Sequence, residues 1–356
     1  MSGLLKRTQA YEYVRRGIAT GALTPGQKLP PGVELAAQIG VSHITMRAAF
    51  KRLERDGLIE SVHGRGTFIA RSAGKTVIRT IGVVMPSLRA PLTSTQSPMH
   101  YSVVSGVIAR AEEMRFEIRT LHRHRKRFDL ETVRNMDVDA ILVVFPHKAD
   151  AGLLAALKRI RIPMVAVNLL DPSLSARHHC VNADYAGASR ESVLRFHRLG
   201  RRRIAFATCY PTAADLHPGA LLDGYRRAMA ELGLRPRVVR AGPIPYGPLQ
   251  DAASQLMRRE AAKLLAADAI VTSHYDEASA IAAVLRERGK SVPGDIAVAG
   301  FFDGAAAEKN QVSTWRVPWD EVGRRAVERA ADLLADPAQR PRIELLPCKY
   351  MARKSG

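Results

Sequence analysis

The stretch GALTPGQKLPPGVELAAQIGVSHITMRAAFKRLERDGLIESVHGRGTFI, residues 21–69, decides how the first part of this chain folds. Gly21 and the pair Pro25-Gly26 stop an amphipathic helix that begins near residue 4. A short helix over 32–39 comes next, and Gly40, free to enter the left-handed region, terminates it. Ser42 then stands where its hydroxyl can cap a third helix over 43–56. Two helices joined by so short a turn have helix-turn-helix spacing.

The third helix has two usable faces. Met46, Ala49, Phe50 and Leu53 recur at i, i+3, i+4, i+7 and turn inward, whereas His43, Arg47 and Lys51 point the other way. After Gly57 the segment LIESVHGRGTFIA reads as two strands around a tight basic tip, His63-Gly64-Arg65-Gly66. A cationic helix alone reads equally well as a solvated face, but turn spacing and a basic hairpin together favour DNA. The helix can enter a major groove while the hairpin reaches phosphate or minor groove. Arg47 is the first candidate for a base edge, because a guanidinium pairs bidentately with guanine O6 and N7. Lys28, Thr45, Lys51 and Arg65 are candidates for holding phosphates, and Ser42, His43 and His63 complete the surface.

These residues resemble the GntR-family winged-helix domain nearly end to end over 4–70, with its LP entry, its "ELA…GVS..T.R.A...L...GLI" core and its GRGTF wing. Two positions depart from the pattern. Val33 stands where the family usually has an Arg that touches DNA, and His43 where another Arg is common, so the family's operator preference does not carry over.

The rest of the chain is a separate unit. At 356 residues the protein exceeds what one core organises, so two or three compact units are expected. The wing ends near residue 70, 71–79 reads as a linker, and a new apolar strand, TIGVVMP, starts at Thr80. From there short apolar runs (81–85, 140–145, 164–167, 204–207, 269–271, 296–300) alternate with helical stretches, which argues βαβ units and parallel sheets. No internal sequence repeat is visible.

Charge and cysteine content narrow the class. Lys and Arg outnumber Asp and Glu by 54 to 34, a net charge of +20 that suits a polyanionic partner. The excess is spread along the chain, and clusters such as RTLHRHRKR (119–127) and Arg201-Arg202-Arg203 read as solvated faces or strand entries. Cys180, Cys209 and Cys348 match neither a metal-ligand spacing nor a disulfide framework, so buried or incidental thiols are expected and no metal or cofactor is. The opening MSGLLKRTQAYEY lacks the apolar core of a signal peptide, and no run of about 18 uncharged apolar residues occurs. A cytoplasmic protein with no membrane partner is the expectation.

Residues 80–355 resemble the LacI/GalR-type effector domain, a periplasmic-binding-protein fold, through TIGVVMP, DAILVVF, IPMVAVN, LGRRRIAFA, DGYRRAMAELGL, AIVTSHYDEASAIAAVLRERGKSVPGDIAVAGF and STWRVPWDEVGRRAVE. The expected fold is therefore multidomain: a small α+β winged helix-turn-helix over 1–70, then a two-lobed α/β domain over 80–356. The resemblance implies three chain crossings, one near Asn182-Ala183-Asp184, with lobe 1 over about 80–184 and 313–337 and lobe 2 over about 185–312 and 338–356. It also implies a homodimer, and a small ligand in the cleft that modulates binding to a pseudo-palindromic DNA operator, with relief of repression as the expected sign.

Open parallel sheets hold ligands beyond the carboxyl ends of their strands. By position the candidate ligand residues are Ser87, Met99, His100, Asn168, Asp184, Leu221, Tyr275, Asp276, Phe302 and Asp303. Three depart from the sugar-binding pattern that the resemblance implies. Leu221 replaces an Arg, Tyr275 takes the place of an Asp and displaces Asp276 by one, and Phe302 replaces the first Asp of "GFDD". Charged, bidentate groups are what hold polyhydroxylated ligands. Either the cleft takes a less polar ligand, or the domain only dimerises. An enzyme is disfavoured and no catalytic residue is expected: no G-x-S-x-G, P-loop, HExxH or G-x-G-x-x-G stands at a strand-to-helix turn. A transport receptor would share the second fold but not the DNA-reading head.

Overall fold

The computed structural model describes residues 3–70, 79–85, 97–122, 137–160, 162–210, 216–240, 254–255 and 258–356. The head contains α1 (Gly3–Ala19), α2 (Gly32–Ile39), α3 (His43–Arg55) and the hairpin β1 (Ile59–Val62) and β2 (Gly66–Ile69). Gly40 ends α2 at φ 76, and the Ser42 hydroxyl accepts the Thr45 N–H at 3.2 Å, so α3 starts where its cap dictates. Met46, Ala49 and Leu53 are buried with Tyr11, Leu35, Leu58 and Ile69, and Phe50 packs at the margin of that core.

The body is two parallel sheets of six strands each. The first comprises β3 (Arg79–Met85), β4 (Phe116–His122), β5 (Ala140–Val144), β6 (Met164–Val167), β7 (His179–Asp184) and β13 (Ile343–Pro347), in the order β13-β7-β6-β5-β3-β4. The second comprises β8 (Ile204–Thr208), β9 (Arg237–Arg240), β10 (Ala269–Thr272), β11 (Ala297–Phe301), β12 (Ser313–Arg316) and β14 (Lys349–Met351), in the order β14-β12-β11-β10-β8-β9. Among the described strands of the body only β14 runs antiparallel. The strands are continuous apolar runs because helices cover both faces. Each sheet reverses its winding beside its first strand, at β3 between β4 and β5 and at β8 between β9 and β10, so the two halves share a topology that their sequences do not display.

Helices α4 (Ser97–Glu113), α5 (Ala151–Arg159) and α6 (Pro172–Ser175) lie in the first half; α7 (Tyr185–Arg198), α8 (His217–Glu231), α9 (Ala261–Leu265), α10 (Tyr275–Glu287) and α11 (Ala305–Lys309) lie in the second. The last helix, α12 (Trp319–Ala335), returns to pack on α4 and on β5 to β7. Gly106 of α4 faces the Asp320 carbonyl and Gly323 of α12 faces the Val103 carbonyl; a Cβ at either would collide with backbone, so two small residues let these helices touch.

The chain crosses between sheets after Asp184, after β12 and at Cys348 between β13 and β14. Two lobe boundaries therefore move. Ser313–Arg316 pairs with β11 and belongs to the second sheet, and Ile343–Pro347 pairs with β7 in the first. The sequence reading placed them the other way because a strand's pairing partner leaves no local signal; β13, at the edge of its sheet, alternates exposed and half-buried positions. The three cysteines are buried thiols. Arg201 and Arg203 lead into β8, Arg201 donating to the carbonyls of Pro293 and Gly294 at 2.6 and 2.8 Å and Arg203 to that of Ala266 at 3.0 Å.

Candidate nucleic-acid interface and ligand cleft

On the head, Ser42, His43, Arg47 and Lys51 are exposed and Thr45 is half-buried beside them. Among the described residues no ion pair engages Arg47, Lys51, Lys28 or Arg65, so their charge is left for an anion. The neighbouring arginines at the far end of α3 differ: Arg52 pairs with Asp56, Asp137 and Asp139, and Arg55 with Asp56 and Asp137. Lys28 bridges to Phe68 of the wing, with its ammonium 6.0 Å from that ring, while Gly64 and Gly66, at φ 73 and 112, shape the tip that carries His63 and Arg65. Of three expected phosphate or wing contacts, His63 and Arg65 thus lie on the hairpin tip and Lys28 on the segment bridged to its second strand. Ile44, 82% exposed between His43 and Thr45, and Val33, 62% exposed on α2, add apolar groups to the same head. Ile44 was legible as the residue out of phase with the Met46, Ala49 and Leu53 face.

The body carries a cavity of about 490 Å³ at the carboxyl ends of both sheets. Met99, His100, Asn168, Tyr275, Phe302 and Asp303 line it, as expected from sequence position. Three candidates do not. Leu221 is 0% exposed in the apolar core, because α8 turns that position toward the sheet. Asp184 accepts the Gly187 N–H at 2.8 Å and caps α7. Asp276 is buried in the first turn of α10, its carboxylate 3.5 Å from His274 Nδ1. Ser87 lies outside the described residues.

The candidate ligand residues leave out most of the aromatic wall: Phe145 and His274, which sit at strand ends, and Tyr185, Tyr210, His217 and Trp319. Three strands end in a residue with left-handed backbone at the cleft: Phe145 (φ 48) after β5, Asn168 (φ 59) after β6 and Phe302 (φ 61) after β11. Asn tolerates this region; for the two phenylalanines it costs of order 1–3 kcal/mol each, held by the packing around them. Backbone strain of this kind concentrates at ligand sites.

The electrostatics of the cleft are quiet. Burial, with a smaller effect of His274, lowers the His217 pKa to about 3, and burial lowers that of His274 to about 4, so both imidazoles are neutral at pH 7. Partial burial works against Asp303 ionisation, but donors from Thr314, Arg316 and Arg353 hold its pKa below the ordinary value. Behind the wall, Glu277 is fully buried and ties two strand ends together. It accepts the N–H groups of Cys209, Ser273 and His274 at 2.6, 2.9 and 3.0 Å, and burial pushes its pKa up to about 7 against those donors.

A winged helix-turn-helix head on a doubly wound, two-lobed body defines a ligand-linked DNA-binding protein. Residues 6–69 match the bacterial regulatory proteins of the gntR family, and residues 193–356 match the periplasmic binding protein-like domain. The chain is 27% identical to the arabinose metabolism transcriptional repressor of Geobacillus stearothermophilus over 369 aligned residues, covering 96% of each protein. Among solved structures it is similar in fold to a CelR transcriptional regulator in complex with cellobiose (TM-score 0.61, 21% identity, 92% of this chain and 100% of that one). It is similar also to the lac repressor dimer bound to operator and the anti-inducer ONPF (TM-score 0.62, 18% identity, 80% and 95%). The protein is a transcription regulator with a GntR-family DNA-binding head and a periplasmic-binding-protein-like sensor body.

Proposed function

We propose that the protein works as a homodimeric repressor in the cytoplasm, its two recognition helices reading a pseudo-palindromic operator and its cleft taking the small molecule that changes operator affinity. The observation that carries this reading is the cavity at the carboxyl ends of both parallel sheets, the place where open α/β sheets bind ligands, in a chain that begins with a DNA-reading head. No described helix is long and apolar enough to cross a membrane. The name of the arabinose repressor and the cellobiose complex favour a ligand-linked mode of action for this chain.

In this reading Arg47 enters the major groove and contacts a guanine edge, Lys51 and Thr45 flank it on phosphate, and Lys28, His63 and Arg65 place the wing. Ligand closes the cleft, and the shift it imposes equals its differential affinity for the open and closed states. The test is a salt series of operator titrations with the full-length protein, with and without ligand. Loss of sequence selectivity in Arg47→Ala supports the assignment, and a body whose cleft ligands never alter operator affinity returns the second domain to dimerisation alone.

A further inference from the structure

The rings of the cleft form one connected wall that draws on both halves of the body. Phe302 lies nearly parallel to Trp319, with centroids 6.2 Å apart and planes 15° apart. It also meets His217 at 4.9 Å and His274 at 5.3 Å, while Phe145 meets Trp319 at 5.5 Å. Flat aromatic faces of this kind offer stacking and edge contacts to another ring.

The polar groups point to the same class by what they are already doing. Asp303 is the one carboxylate among the described residues that line the cavity. Its Oδ1 receives Thr314 Oγ1 at 2.8 Å and Arg353 at 2.7 Å, and its Oδ2 receives Arg316 at 2.7 Å. Two of the lining imidazoles, His217 and His274, are neutral. The described lining also carries Ser102, the hydroxyls of Tyr185, Tyr210 and Tyr275, and an Arg316 guanidinium held by Asp303, so it lacks an uncommitted carboxylate or guanidinium to grip a polyhydroxylated ring bidentately. Among the described cavity-lining residues two buried polar atoms remain without a partner: Asn168 Oδ1, on a side chain 92% buried at the turn after β6 that also bonds the Tyr185 hydroxyl, and His217 Nε2. An amide oxygen in that position asks for an N–H or O–H donor.

We propose that the cleft selects a planar, mainly apolar aromatic molecule whose ring packs on Phe302 and Trp319 and whose single N–H or O–H donor meets Asn168. The inference rests on the reading of this cavity as the sensing site. His217, beside Phe302, either receives a second donor or serves as the ring's edge neighbour.

The test is calorimetry and tryptophan fluorescence on the full-length protein with indole and benzimidazole, planar rings with an N–H and no hydroxyl, against L-arabinose and cellobiose. Trp319→Phe assigns the cleft signal, since the other tryptophan, Trp315, is buried with its N–H on Ser192 at 2.6 Å. The expected result is a ring Kd at least tenfold below that of either sugar, weakened about tenfold by Asn168→Gly, which keeps the left-handed backbone, and by Phe302→Leu. A sugar that binds more tightly than both rings, or ring binding untouched by both variants, overturns the ligand class. If that sugar also shifts operator affinity, the sensing reading stands while this inference falls. Silence from all four probes overturns the inference as well, and operator titrations across a wider panel then judge sensing on its own.

Discussion

Asp139 bonds the DNA-reading helix to the body: one carboxylate oxygen receives Arg52 of α3, and the other accepts the Thr80 N–H at 2.8 Å where β3 begins. Arg52 also lies over the Tyr11 ring at 4.1 Å, and its neighbour Arg55 pairs with Asp137. The far end of the recognition helix is thus tied to the sheet whose strand ends line the cleft. Asp139→Asn removes the charge and keeps the shape. It should leave operator affinity within about threefold but shrink the ligand-driven change, which for such linkages is of order 1–3 kcal/mol. Paired operator titrations with and without ligand check this, and an unchanged ligand effect argues that coupling takes another route.

The head predicts separable effects of its charges. Arg47→Ala should cost about 1–3 kcal/mol and relax specificity at one base pair, whereas Arg65→Ala should weaken all sequences alike and lower the salt slope by about 1. Ile44→Ala should relax preference at a thymine without moving the slope, since an exposed apolar side chain can only meet a methyl. Anisotropy titrations on a panel of single-base operator variants separate the three.

The cleft histidines make stability depend on pH in a definite direction. His217 and His274 have folded-state pKa values of about 3 and 4, below the ordinary 6.5. The native state binds fewer protons than the unfolded chain, so their contribution is present above pH 6.5 and is lost as pH falls toward 4. Asp276 stands 3.5 Å from His274 Nδ1, which accepts the Asp276 N–H at 3.2 Å, a bond that only the neutral ring can make. Glu277, raised from 4.5 to about 7, acts oppositely, favouring the native state as pH falls through the same window. Two shifts outweigh one, so the melting temperature should drop between pH 7 and 4. His217→Gln should flatten the drop and Glu277→Gln should steepen it, both read by thermal melts across pH.

The α4 to α12 crossing should be intolerant of bulk. Gly106→Val places side-chain atoms where the Asp320 carbonyl stands and should destabilise by about 1–3 kcal/mol or more. Chemical denaturation measures it, with the exposed Ile108→Val as the neutral comparison.

Much of this was legible in the sequence, and the failures have physical causes. The head could be read from Gly40, Ser42 and the Met46, Ala49, Leu53 spacing, because caps and periodicity are local. The central strands showed as apolar runs, whereas β13 and β12 were assigned to the wrong lobes, since strand pairing between residues as distant as Ile343 and Cys180 leaves no local trace. The cleft was half visible. Strand-end positions pointed to Asn168, Phe302 and Asp303, but Tyr210, His217 and Trp319 reach the same cavity from helix starts and loops that only the fold brings together. Leu221 was misplaced for the converse reason, its helix presenting it to the core.

The most direct test of the central claim is a fluorescence anisotropy titration of full-length protein on DNA from upstream of its own coding region, against a scrambled duplex, from low to physiological salt. The account predicts selective binding about 10³-fold or more tighter than to the scrambled duplex, with log affinity falling linearly with log salt and selectivity lost in Arg47→Ala. Equal affinity for both duplexes, or selectivity that survives Arg47→Ala and Arg65→Ala together, would contradict it.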